Sequence, residues 1–282
     1  MLCCRIAGAQ LLETKIWLGK VPKNSKIEQR LTELTGLTPM KIISVTLLFL
    51  LSLLTACSQD QNAAFNNLTM QPVVTEADIP ADIIKDSWAR LPAVNRDNLN
   101  TEGQQIFDML TSPGNGYENG LRGPLGMWMY SPEMALGAWT LRQRVRYGTA
   151  KDQRLTELTI ISTAREISNQ YEYSAHEPLG AAAGLEQEIM DFVKYRRPMS
   201  EAEGIPGMGD VEKLIIQFAR EIVSEPKVSS DTFATAVELL GEEGVMDLTG
   251  LIGYYNFVAL TLKAFDVQRL PGSDRLLPVS SN

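Results

Sequence analysis

The stretch Gln170-Tyr171-Glu172-Tyr173-Ser174-Ala175-His176 holds the only histidine of the chain. On a helix, Glu172 and His176 are four residues apart and lie on one face within contact range. A carboxylate beside an imidazole fixes its tautomer and raises its basicity, as a general base requires. The same spacing also describes an ion pair on a solvated helix face, and the pair alone does not choose between the two. A metal centre is a poorer fit. One histidine, with cysteines only at positions 3, 4 and 57, would leave a set of carboxylates, and no HExxH or comparable ligand spacing occurs.

The elements that must hold these residues are helices. Asn100-Thr101-Glu102 opens one that runs to about Leu110. A Gly/Pro-rich loop, TSPGNGYENGLRGPLG, follows; its glycines miss the GxGxxG spacing and no strand precedes it, so it is read as a structured loop and not a phosphate cradle. Ser131-Pro132-Glu133 starts a helix ending at Gly148, with Ser131 as N-cap and proline at the first helical position. Asp152 to about Ser168 carries Leu155, Leu158, Ile161 and Ala164 at three-residue spacing. Further helices are expected over Tyr171–Ala183, Glu186–Tyr195, Asp210–Ser224, Asp231–Leu240 behind a Ser230 cap, and Val245–Phe265. No run alternates long enough for a sheet. The expected class is all-α, with about eight helices.

Several segments together resemble the carboxymuconolactone decarboxylase and alkylhydroperoxidase D-like family. They are Arg154-Leu155-Thr156-Glu157-Leu158-Thr159-Ile160-Ile161, then Ala164-Arg165, then YEYSAHEPLGAAAGL, with RGPLGMWMYSPEMA before and GEEGVMDLTGLIGYYNFVALTLKAFDV after. The likeness covers roughly Asp97 to Val267. It implies a multi-helix alkylhydroperoxidase D-like bundle and a homo-oligomer, trimer or hexamer, with sites between helices near subunit contacts. It also implies that Glu157, nineteen residues before His176, belongs to the site. The peroxidase branch carries a Cys-x-x-Cys pair before the histidine, but here those positions are Asn169 and Glu172. Without a thiolate nothing attacks a peroxide or resolves a sulfenic acid, so peroxidase chemistry is set aside.

The decarboxylase branch implies cofactor-free chemistry on a small organic acid or lactone. Such a reaction needs an acid and a base to move protons, plus a cation to hold the substrate carboxylate. His176 is the expected proton carrier, oriented by Glu157 or Glu172. Arg122 is the expected anion anchor, with Arg165 as the second candidate, because a guanidinium forks onto a carboxylate. Tyr171 and Tyr173 flank the site, in positions where helical aromatics also serve as core. A non-catalytic envelope protein that binds a small apolar ligand in the same helical pocket is the alternative.

The expected address is the bacterial cell envelope. Met40-Lys41 precedes IISVTLLFLLSLLTAC, about fifteen apolar or small residues, shorter than the roughly twenty of a membrane span and shaped like a secretory signal. Leu54-Thr55-Ala56-Cys57 resembles a lipobox, which implies lipidation of Cys57, and Ser58 after it points to the outer membrane, facing the periplasm. Residues 1–39 then read as an upstream extension with Met40 the initiator, 58–79 as a flexible tether, 80–270 as the helical domain and 271–282 as a disordered tail. Residues 1–57 carry 7 basic and 3 acidic side chains; the remaining 19 basic and 31 acidic give a net charge of -12. With no basic stripe, a nucleic-acid partner is not expected.

Overall fold

The helical periodicity is realised as eight α-helices in a computed structural model that describes residues 68–148 and 152–280. In chain order they are α1 (Thr101–Leu110), α2 (Gly123–Trp128), α3 (Pro132–Arg142), α4 (Gln153–Glu166), α5 (Gln170–Ala182), α6 (Gln187–Lys194), α7 (Asp210–Ser224) and α8 (Ser230–Ala264). Two two-residue strands, β1 (Leu68–Thr69) and β2 (Val279–Ser280), are the only ones among the described residues. The chain divides into two units, Thr69–Val279 and Met1–Leu68 with Ser280–Asn282. The second falls almost wholly outside the described residues, and with it the expected signal, the upstream extension and Cys57.

Helix α4 is the centre of the larger unit. Every residue from Thr156 to Arg165 is buried, although the segment is rich in threonine. Its three buried threonines are tolerated because each hydroxyl has a partner one turn back: Thr156, Thr159 and Thr163 donate to the carbonyls of Asp152, Leu155 and Thr159 at 2.8–2.9 Å, while the buried Ser162 hydroxyl has none. The helix also feeds two apolar clusters at once. Leu158 and Ile161 pack with Tyr173, Phe192, Ile216 and Phe218 of α5, α6 and α7. Ile160 packs with Leu110, Trp128, Trp139, Tyr254 and Val258 of α1, α2, α3 and α8. The residues between these positions are therefore walled off from water on both sides.

The structure departs from the sequence reading at several boundaries. Pro124 near the start of α2 turns the end of the expected loop into a short helix. Beyond Arg142 the α3 ladder widens into a π turn, Gln143–Tyr147, before Gly148 ends it. Ser131 makes no side-chain cap bond, and the cap of α8 is Ser229, not Ser230, accepting from the Thr232 amide. The two helices expected over 231–265, by contrast, are separated as expected: the span Ser230–Ala264 is broken at Gly241, whose φ of 71° and ψ of 170° are non-helical and open to glycine at little cost.

The expected tether and tail are also shorter than composition suggested. Val74 exchanges backbone hydrogen bonds with Ser273 (2.9 Å) and Gly272 (2.7 Å). The Gln170 side chain bonds Gln71 and both the carbonyl and the amide of Leu277. Buried Val74 and Leu277 anchor these segments, two apolar residues that a polar average hides.

Phe218, buried in α7, tests the double-sided core. Phe218→Ala is expected to cost about 3–5 kcal/mol of unfolding free energy, read as a lowered denaturant midpoint at unchanged slope.

Candidate active site

Helix α5 begins at Asn169, whose side chain accepts from the Glu172 amide at 2.9 Å. That cap sets the helical phase, so Glu172 and His176 both turn inward toward α4. Glu172 lies in the first turn, where the exposed amides of the helix end favour a negative charge. Both side chains are buried, which removes the solvated ion pair as a reading.

On α4 the facing residue is Glu157. Its Oε2 lies 2.6 Å from His176 Nδ1. Its Oε1 accepts from Arg146 Nη2, a residue of the π turn. Arg146 Nη1 donates to the Tyr255 hydroxyl at 3.0 Å, and the Tyr255 ring meets the imidazole edge-on at 5.1 Å. His176 Nε2 lies 3.4 Å from Glu172 Oε2, an ion-pair contact longer than an aligned hydrogen bond. Arg146, Glu157, His176 and Glu172 thus form one buried row, which alternates in sign as +, −, +, − when the imidazole is protonated. A row of this kind needs no net charge moved into the interior.

Burial alone would push the imidazole pKa below its usual 6.5. The hydrogen bonds to Glu157 and Glu172, with their negative charges, more than offset it and hold the pKa above that value. Nδ1 is committed to Glu157. Nε2 is the nitrogen left to exchange a proton, with Glu172 beside it.

Around Glu172 stands an aromatic wall. Tyr117, Tyr171, Tyr254 and Tyr255 all sense its charge, although burial is the larger cause raising each phenol's pKa. Among the described residues the hydroxyls of Tyr117, Tyr171 and Tyr254 have no hydrogen-bond partner, and none is sealed from solvent-accessible space. The Tyr171 hydroxyl lies 3.2 Å from where a Cβ on Gly123 would stand; that residue has a φ of 61°, so glycine is required there on two counts.

Of the residues expected from sequence, Glu157, Glu172 and His176 meet, and Tyr171 borders them. Arg122, the cap residue of α2, stands within electrostatic reach of the Tyr171 phenol and touches none of the three. Arg165 lies elsewhere. It is two turns beyond Glu157 on α4, where Glu166, Tyr173 and Arg196 act on its charge. The decisive residue that sequence reasoning missed is Arg146. Arg142, Arg144 and Arg146 alternate at a helix end, where cations complement the dipole. Only the π turn selects which of them points inward.

No family model and no curated protein matches the sequence. A solved structure from Ralstonia eutropha, described as an alkylhydroperoxidase AhpD core and an uncharacterized peroxidase-related protein, is similar to this chain. The identity is 13% and the TM-score 0.49, over 64% of this chain and 92% of that one.

The row makes stability depend on pH with a definite sign. Because the folded pKa of His176 is raised, its contribution is complete below about pH 6.5 and is lost as pH rises through the folded pKa. Denaturant titrations across that window are expected to show wild type losing stability relative to His176→Gln. Glu157→Gln, which leaves Arg146 and His176 facing a neutral amide, is expected to cost roughly 3 kcal/mol at neutral pH.

Proposed function

We propose that this chain is a cofactor-independent proton-transfer enzyme acting on a small organic acid or lactone, by decarboxylation, isomerisation or lactone chemistry. The observation that carries the reading is the buried Glu157–His176 pair at 2.6 Å with Nε2 directed at a second carboxylate. Glu157, fixed by Arg146, holds the imidazole by Nδ1. His176 Nε2 and Glu172 Oε2 then form a donor and acceptor between which a substrate proton can be relayed in either direction. This is acid–base machinery of the kind worth about 10²–10⁴ in rate. A carboxylate at position 172 cannot act as the redox nucleophile a thiolate would be, so the chemistry supported is protonic.

A second reading is supported by a different feature. A cavity of about 180 Å³ lies among α4, α7 and α8, lined by Leu155, Thr159, Val211, Ile215 and Leu248 among others, and by none of the row's residues. Its apolar lining suits a small apolar ligand held without chemistry.

The proposed place of action is the cell envelope, on the strength of the signal-like run after Met40-Lys41 and of Leu54-Thr55-Ala56-Cys57 at its end. Labelled palmitate is expected to enter the wild-type chain in cells and to be absent from Cys57→Ala.

The enzyme reading is tested by proton exchange. Small unsaturated acids and lactones incubated with the protein in deuterated water are expected to acquire deuterium beside the carbonyl. His176→Gln is expected to lower that rate by about 10²-fold or more. Exchange that persists unchanged in His176→Gln would set the enzyme reading aside in favour of ligand storage.

A further inference from the structure

Arg142 is held as a binding cation is held. Its guanidinium lies 4.8 Å from the centre of the Trp139 ring and 5.0 Å from that of Tyr147. Its one polar contact among the described residues is Nη2 to the Tyr147 hydroxyl, at 3.3 Å. No carboxylate pairs with it there. Arg144 next door binds Glu243 and Asp247, and Arg146 binds Glu157. Two aromatic faces fix the plane of the guanidinium and leave its donor edge unused. That is the state in which an arginine loses least on gripping a carboxylate.

Its position ties it to the row. The Tyr147 ring lies under both Arg142 and Arg146, 5.2 Å from the latter. Trp139 carries Arg142 on one side and meets the Tyr117 ring edge-on at 6.1 Å. The charges of Arg142 and Glu172 both reach the Tyr117 and Tyr254 phenols and act on them with opposite sign. Tyr254 is only 5% exposed, yet its hydroxyl and that of Tyr117 have no partner among the described residues. Neither hydroxyl is sealed from solvent, so both are open to a ligand's oxygen.

We propose that Arg142, with the hydroxyls of Tyr117 and Tyr254, is the anion-recognition half of the active site, and that the substrate is a small carboxylate with a flat, unsaturated or cyclic body. The carboxylate takes the donor edge of Arg142 and the two phenolic hydrogens. The planar body lies against the aromatic wall, its far end toward Glu172 and His176 Nε2. Arg142 then takes the part expected of Arg122. The inference names the substrate class for the proton-transfer reading and rests on that reading only for the chemistry at the far end.

The test uses the full-length chain and its tryptophan fluorescence, since Trp139 lies under the proposed anion. Benzoate is titrated against its uncharged analogue benzamide. Wild type is expected to prefer benzoate. Arg142→Gln is expected to weaken benzoate by about tenfold or more while leaving benzamide alone. Arg142→Lys, which keeps the charge and loses the fork, is expected to fall between, and circular dichroism confirms that each variant is folded. Arg144→Gln, one residue pair away, is the charge control and is expected to match wild type. Equal affinity of wild type and Arg142→Gln for benzoate would overturn the proposal, as would no preference of wild type for the anion. The two readings separate cleanly. Arg142-dependent benzoate binding without any deuterium exchange leaves the anion site standing and removes the enzyme. Exchange that needs His176 but ignores Arg142 does the reverse.

Discussion

A carboxylate buried in the middle of the central helix is the constraint that organises this protein. Left unpaired, Glu157 would cost several kcal/mol, and each of its oxygens therefore demands a donor. One comes from Arg146 and one from His176. Supplying Arg146 requires the widened turn after α3, because a regular helix would carry residue 146 round to another face. Supplying His176 requires α5 to start at Asn169 and hold its inward phase. The two apolar clusters on either side of α4 exclude the water that would otherwise make these demands cheap to meet.

The same constraint shapes the chemistry. Because Glu157 is saturated by two donors, it is a holder and not a reactant in the proposed reaction. It fixes one nitrogen of the imidazole and leaves the other facing Glu172 across 3.4 Å. Glu172 is less tightly held: among the described residues its one ion-pair contact is with that imidazole. Orientation on one side and availability on the other is the division of labour that general acid–base catalysis needs.

Much of this was legible in the sequence. The all-α class followed from periodicity, and α7 runs over the expected Asp210–Ser224. The pairing of Glu172 with His176 followed from helical spacing, and Glu157 from the resemblance. Burial did not follow: the same i,i+4 pair fits a solvated surface equally well, and only packing against α4 decides. Arg146 was hidden by the π turn, since 3.6-residue geometry gives the wrong face after Arg142. The partnering of the polar ends was hidden for another reason. Gln170 joins Gln71 to Leu277 across about a hundred residues of chain, and local composition holds no trace of such a contact.

The central claim is that His176 is a buried imidazole coupled to two carboxylates. As the chain's only histidine, it can be followed by its ring proton resonances against pH without assignment. The account predicts a pKa above the usual 6.5 that falls in Glu157→Gln and also in Glu172→Gln. A value near 6.5, indifferent to both substitutions, would contradict it.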